Sequence, residues 1–438
     1  MKVNYISLGC PKNAVDLEKI LGSLAPYVDF TEHPDEADMT IINTCAFIQA
    51  AQQEAIDEIL NIAQIKQERP DFQIWVTGCL PQRYKNQLLE LMPEIDEIFT
   101  HRDADETSML ICKKLTGTSN RSGKRYPITA SHYRYLTIAQ GCNNRCSYCA
   151  IPVIKGDLKS RTIPEILAEA HHLANSKDSP KELILVAQDT TAFGMDRNGQ
   201  ELSNLLIELD KKRYFDWIRI MYTHPAHWNE GLMDVLANAD TILPYIDMPV
   251  QHINDKILKS MKRSVTGHDI RALIDKLREK INPLVLRTSL IVGYPGESKH
   301  EFNELLAFVE NTEFDRLGVF TYSKEQDTRA FNLSNTVSEK TKHRRQEEIM
   351  MLQAEISYHK NQKLLHSGIK VLVDEYDKDN HQSIGRTWRD APEIDNVVVL
   401  PELELCVGSF YDIEITQTDM YELFGRKRES PLPERMDI

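Results

Sequence analysis

The sequence predicts an α/β protein with a small all-β tail, on three observations. Short apolar runs alternate with amphipathic helical stretches through the first 366 residues, and strand–helix alternation implies parallel sheets with helices on their faces. Beyond residue 366 the helical pattern stops and strand-like runs separated by turns take over. A chain of 438 residues, 41% apolar and 27% charged, has the composition of two or three ordinary globular domains.

Residues 1–128 carry apolar runs at 3–9, 39–46, 73–78 and 96–100, interleaved with "AVDLEKILGSL" and "AAQQEAIDEILNIAQI". This region reads as an N-terminal parallel α/β sheet domain, followed by a linker in "TGTSNRSGKRYP" (116–127). Residues 129–366 repeat the rhythm with six candidate strands: "YLTIAQGC", "ELILVAQDTT", "IRIMYTHP", "YIDMPV", "VLRTSLIVGYPGE" and "RLGVFTYS". Six strands so spaced predict a complete or partial (β/α) barrel, which carries its chemistry at the carboxyl ends of its strands. A long charged helix, roughly 338–366, closes this region. In 367–438 the runs "IKVLVDEY", "NVVVLP" and "FYDIEITQTDMYELFGRK" predict a small antiparallel β-barrel.

Bulk properties narrow the function. No apolar run has the length of a membrane span. The opening "MKVNYISLGC" goes straight into a strand pattern and lacks a secretory signal, so a cytosolic location is expected. Eight cysteines in a reducing compartment point to metal-binding, catalytic or buried thiols rather than disulfides. A net charge of −14 disfavours general nucleic-acid binding, which runs on Lys and Arg releasing counterions.

The strongest local signal is "GCNNRCSYCAIP", with Cys142, Cys146 and Cys149 spaced C-x3-C-x2-C. A structural zinc site normally wants four ligands, often from two C-x2-C pairs, and no second pair is present. Three thiolates with an open position suit a 4Fe-4S cluster with one iron left for an external ligand. A second constellation lies upstream. Cys10, Cys45 and Cys79 each end a predicted strand ("VNYISLGC", "MTIINTC", "QIWVTGC"), and ligand sites form at the carboxyl ends of parallel strands. One such cysteine reads as an inert core residue; three in the same local position predict a second metal site. Cys112 and Cys406 are expected to be structural.

In the barrel, Gln188 and Asp189 end "LILVAQD" and Gln251 follows a strand in "MPVQHI", places from which a side chain reaches a cofactor. Arg161 is a candidate partner for a cofactor carboxylate. For each the plainer reading is a helix cap or a surface polar residue. Gly293, in "SLIVGYPGE", allows close approach of backbone to a ligand. His224 and His252 read as structural.

The C-x3-C-x2-C trio, with Tyr148 just before its last cysteine, resembles the radical S-adenosylmethionine (SAM) superfamily. The resemblance implies that the open iron binds the amino and carboxylate groups of SAM, with Tyr148 near the adenine. The stretches "LGCPKNAVDLE", "INTCAFIQAAQQEAI", "VTGCLPQRY", "GCNNRCSYCAIP", "LVAQDTTAFG", "MPVQHI" and "IVGYPGE" resemble the methylthiotransferases of that superfamily over almost the whole chain, with a TRAM-like module last. Within it, "CPKN", "AQDTT" and "GRTWRDAPEIDN" resemble the branch that modifies an aspartate of ribosomal protein twelve of the small subunit. That implies two 4Fe-4S clusters and SAM as methyl donor and radical source, with Cys10, Cys45 and Cys79 holding the cluster that handles sulfur. The sulfur and electron donors stay unidentified. Two departures from the family stand out: "YSKEQDTRA" replaces the usual Glu–Gly–Thr, leaving the role of Gln326 and Asp327 open, and Lys155 replaces a common Arg.

Charge bears on the substrate. Residues 367–428 hold seven cations and thirteen acids, whereas an RNA-binding barrel should be locally basic. An acidic module suits a basic protein partner; a solvated acidic face without a partner is the plainer alternative. Arg426, Lys427 and Arg428 leave one small basic spot, so nucleic acid is not favoured. Two other functions remain open: a tRNA adenosine methylthiotransferase, and a non-catalytic metal-bearing scaffold that binds ribosomes.

Overall fold

The structure, a computed structural model, describes residues 1–100, 102–118, 123–197 and 199–430. They form two compact units: Met1–Thr129 with Gln140–Lys159 and Ser323–Phe331, and Ala130–Ala139 with Ser160–Tyr322 and Asn332 onward.

The first unit is built on a five-stranded sheet of β1 (Lys2–Ser7), β2 (Asp29–Phe30), β3 (Met39–Thr44), β4 (Gln73–Gly78) and β5 (Glu97–Ile98), ordered β2-β1-β3-β4-β5. All its pairings are parallel. Helices α1 (Pro11–Leu24), α2 (Gln49–Ala63), the short α3 (Ile65–Glu68), α4 (Cys79–Leu91) and α5 (Ala104–Thr116) connect and cover the strands. β3 is buried along its whole length, as the middle strand of a sheet covered on both faces must be. One core holds Leu17, Leu21, Ile41, Trp75 and Ile111; another holds Ile42, Ile59, Val76 and Leu80.

Part of the stretch expected to be a linker is anchored. The buried Glu18 of α1 pairs with Arg125 and accepts the Ile128 N–H at 3.0 Å. Burial of a carboxylate requires such partners, so this end of the segment packs on α1. Residues 119–122 of that stretch lie outside the described residues.

The second unit contains the six predicted barrel strands. β6 (Tyr133–Thr137) leads into a two-stranded ribbon, β7 (Ala139–Gln140) and β8 (Lys159–Ser160), that closes the base of the cysteine loop with its short α6 (Ile151–Ile154). Then follow α7 (Ile163–Ala174), β9 (Glu182–Val186), α8 (Leu202–Lys212), β10 (Trp217–Ile220), α9 (Glu230–Asn238), β11 (Ile242–Asp247), α10 (Asp255–Ser260), α11 (Gly267–Lys280), β12 (Val285–Val292), α12 (Lys299–Thr312), β13 (Arg316–Thr321) and α13 (Glu339–Gln362). The sheet order is β13-β12-β11-β10-β9-β6, parallel throughout. The barrel is therefore partial.

The tail forms a closed five-stranded barrel of β14 (Gly368–Asp377), β15 (Gln382–Arg386), β16 (Val397–Pro401), β17 (Phe410–Thr418) and β18 (Glu422–Lys427). It departs from strict antiparallel pairing at one place, where β16 and β18 run parallel. The final predicted run is a hairpin of two strands, and β15 is an additional strand.

The segment after β15, "TWRDAPEIDN", packs against residues of the partial-barrel strands. Arg316 Nε donates to Asp390 at 2.8 Å, the Tyr133 and Tyr245 hydroxyls donate to Glu393 and Asp395 at 2.6 Å each, and Arg219 Nη1 donates to Trp388 O at 3.0 Å. Buried Glu182 takes Arg219 at 2.7 Å and also pairs with Arg386.

Candidate metal centres

Cys10, Cys45 and Cys79 follow β1, β3 and β4, three neighbouring strands whose ends align: Ser7 pairs with Asn43, Asn43 with Thr77 and Thr44 with Gly78. Local backbone brings the thiols together. Gly9 sits at φ +92°, and a Cβ there would lie 2.6 Å from the Cβ of Cys45. Gly78 sits at φ +97°, and a Cβ there would lie 2.6 Å from Asn43 Oδ1. Both positions therefore need glycine.

Cys10 is the N-cap of α1, Cys79 opens α4, and α2 begins four residues after Cys45. Helix N-termini favour negative charge and so favour thiolate. Asn13, almost fully buried, ties the loops: its amide donates to Leu8 O at 3.0 Å and Thr44 O at 2.8 Å, and its Oδ1 accepts from Cys79 Sγ at 3.6 Å. Its backbone carbonyl accepts the Asn43 amide at 2.7 Å.

The three thiols feel one another. Burial pushes Cys79 up to about 12, against the pull of Lys155, with Cys45 and Cys10 adding repulsion. Burial likewise raises Cys45, and Cys10 contributes. Such a trio, with Cys45 and Cys79 buried, Cys10 half-buried and no disulfide, suits a thiolate-bound cluster, because metal coordination relieves the cost of deprotonating the thiols.

The Cys142–Cys149 loop belongs to the same unit. Cys142 N donates to Gly156 O at 3.1 Å and Cys149 N to Cys146 O at 3.2 Å. Arg145 braces it, with Nη1 on Cys142 O at 2.7 Å and Nη2 on Asp157 at 2.5 Å. Tyr148 is half-buried on the loop. Lys155, just after α6, bonds Asp16 of α1 at 2.8 Å, and Asp16 also takes the Gln140 amide at 3.1 Å. Burial works against the Lys155 ammonium, yet Asp16, Cys79 and Cys10 raise its pKa. The departure from Arg therefore places a fixed cation beside the N-terminal thiols.

In the second unit, the candidate residues fall at carboxyl strand ends. Gln188 Oε1 is buried without a partner among the described residues, an orphaned acceptor that fits a ligand's amino or hydroxyl group. Asp189 is committed: Oδ2 lies 2.7 Å from His227 Nδ1, and Oδ1 accepts from Thr191 Oγ1 at 2.6 Å and Ala192 N at 3.1 Å. Burial alone would raise this carboxyl; the His227 hydrogen bond and the nearby charge of His224 hold it below the usual range. His224 stacks on His227, centroids 4.9 Å apart. Sequence reasoning missed this trio, because nothing in the spacing links "AQD" to "THPAH".

Gln251 takes a left-handed φ of +70° and clips its backbone to β12 through Ser289 O (2.9 Å) and Ile291 N (2.8 Å). Arg161 is held by Glu169 at 2.7 Å and by Thr137 O at 2.9 Å. The group that crowds Gly293 is the Lys342 side chain of α13. Of the two remaining cysteines, Cys112 is fully buried in the core, while Cys406 is exposed. No helix among the described residues is long and apolar enough to cross a membrane.

The profile named "uncharacterized protein family UPF0004" matches residues 2–100, the radical SAM superfamily 136–309 and the TRAM domain 367–427. The solved radical SAM methyltransferase TsrM from Kitasatospora setae shares the fold, with a TM-score of 0.53 at 14% identity over 73% of this chain and 72% of that one. The class is thus a radical SAM protein with an added N-terminal cysteine domain and a TRAM module.

Among relatives, "Ribosomal protein uS12 methylthiotransferase RimO" of Clostridium kluyveri is 43% identical over 97% of this chain and 98% of its own length. The protein of the same name from Aquifex aeolicus is 41% identical over 98% of each. This chain belongs to the RimO family of radical SAM methylthiotransferases.

Proposed function

We propose that this chain adds a methylthio group to the β-carbon of an aspartate in small-subunit ribosomal protein uS12, in the cytosol, with two 4Fe-4S clusters and SAM. The three segments 1–128, 129–366 and 367–438 would serve as sulfur-handling domain, radical domain and substrate-facing module. The observation that carries the reading is the meeting of Cys10, Cys45 and Cys79 at neighbouring strand ends, beside a separate C-x3-C-x2-C trio. A radical enzyme needing only SAM cleavage has no use for the first set.

Cys142, Cys146 and Cys149 would hold the cluster that binds SAM; Tyr148, Gln188, Asp189, Gln251 and Gly293 are the proposed SAM neighbours. Arg161 reaches a carboxylate there only by exchanging its Glu169 partner. When bound, these cofactors supply the radical chemistry that an unactivated C–H bond requires, since no acid–base route exists at neutral pH. The chain's own residues hold and orient. Asn13 fixes the loops of the N-terminal thiols, and Lys155, held by Asp16, offers positive charge to anionic sulfur. His227 fixes the orientation of Asp189. An acidic C-terminal module favours a basic protein partner over RNA.

Iron analysis and two variants test the reading. The reconstituted chain should hold about eight irons, as two cubane clusters; stoichiometric zinc without iron would sink it. Cys149→Ala should abolish SAM cleavage to 5′-deoxyadenosine. Cys79→Ala should keep that cleavage and lose methylthio product; full product from Cys79→Ala would show the second site to be dispensable.

A further inference from the structure

The segment Ser323–Phe331 leaves β13 and joins the cysteine-bearing unit. Its centre is Glu325, buried to 3% exposure. Four donors converge on that carboxylate: Gln49 N at 2.7 Å, Gln52 Nε2 at 2.9 Å, Arg83 Nη1 at 3.1 Å and Ser323 Oγ at 2.6 Å. Gln49 opens α2, whose N-cap Ile48 has no side chain able to cap it. Glu325 supplies the missing acceptor at that positive helix end. Arg83 lies one turn beyond Cys79, just before the kink of α4 at Tyr84, and its Nη1 also holds Ala46 O at 2.6 Å, next to Cys45. Arg83 Nη2 donates to Gln326 O at 3.0 Å.

The far end of the segment reaches the other cysteine loop. Ala330 N donates to Ser147 O at 2.8 Å, between Cys146 and Cys149. Between the two ends the backbone turns through Asp327 at φ +64°, and Thr328 Oγ1 closes the turn on Glu325 O at 2.7 Å. Asp tolerates this left-handed conformation better than most residues, so the Asp327 departure preserves a turn that glycine makes most easily.

We propose that Ser323–Phe331 is a strap that sets the spacing between the two cysteine sites, with Glu325 as its positioning residue. It grips the Cys45 and Cys79 loops at one end and the Cys146–Cys149 loop at the other. Sulfur transfer between sites depends on their separation, whereas SAM cleavage at one site does not. The inference rests on the two-cluster reading above.

The test uses reconstituted full-length enzyme with a uS12 peptide, comparing wild type with Glu325→Ala, Glu325→Gln and Ala330→Pro. The last removes the N–H given to Ser147 and leaves Glu325 itself unchanged. Two quantities are read: 5′-deoxyadenosine formed per methylthio product, and the spin–spin interaction between the reduced clusters by EPR. Glu325→Ala should keep its iron and its SAM cleavage while the ratio rises about tenfold or more, as small misplacements of reacting groups do. The spin interaction should change with it. Glu325→Gln, which retains an acceptor for Gln49 N–H, should recover part of both. A wild-type ratio and spectrum in both Glu325→Ala and Ala330→Pro overturn the strap. So does equal loss of both reactions with loss of iron in both variants, which marks a purely structural role. Wild-type enzyme with eight irons and no methylthio product would overturn the proposed function instead, and the spin readout would still decide the strap.

Discussion

Asn13 shows how much a single side chain does here. It spends its amide on two loop carbonyls and its backbone oxygen on Asn43, all behind Cys79. Asn13→Ala strands the Leu8 and Thr44 carbonyls and should cost about 2–4 kcal/mol, read in urea melts, with loss of iron from the N-terminal site. His252 is a second case. Burial lowers its pKa to about 3, from 6.5 in the open chain. The unfolded chain therefore binds the extra proton first, and stability present above pH 6.5 falls as pH drops toward 3. Between pH 6.5 and 5 the loss should be about 2 kcal/mol, and His252→Gln should flatten that slope. The cysteines were legible from sequence because strand-end position and spacing are one-dimensional signals. Asn13 was not, because an asparagine two residues after a Pro carries no metal signature; its role exists only once β1 and β3 are side by side.

Elements repeat this pattern. Four of the six partial-barrel strands are buried along their whole length and β12 alternates, so their patterns were readable. β15, "QSIGR", was not, since its buried positions are Ser383, Gly385 and Arg386 and carry no apolar pattern. The strap was hidden for a different reason: "YSKEQDTRA" is polar and irregular, and its partners lie some 180–280 residues away. The glycine-bearing strand ends are the elements most exposed to substitution. Gly9→Ala meets both a left-handed φ and the Cys45 side chain. It should drop iron from about eight to about four per chain while leaving SAM cleavage at the Cys142 set intact. Iron analysis beside a 5′-deoxyadenosine assay checks both halves.

At the scale of the molecule, sequence boundaries and packing group the chain differently. Composition separates residues 1–128, 129–366 and 367–438, but the cysteine loop packs with the first segment, and the TRAM module packs on the partial-barrel strands. The stretch "GRTWRDAPEIDN", legible only as a family marker, supplies that second contact. Asp395 joins Tyr245 at 2.6 Å and Arg287 at 3.2 Å, so Asp395→Ala leaves Arg287 with Asp247 alone, at 2.9 Å, and should cost about 1–3 kcal/mol. Urea unfolding followed by tryptophan fluorescence measures it, since Trp217 and Trp388 flank the contact. What the whole assembly makes is decided most directly by mass spectrometry of ribosomal proteins and tRNA from cells with and without this gene. A methylthio group on a uS12 aspartate, present only with the gene, is expected. A methylthio gain confined to tRNA, with uS12 unchanged, would contradict the assignment of substrate.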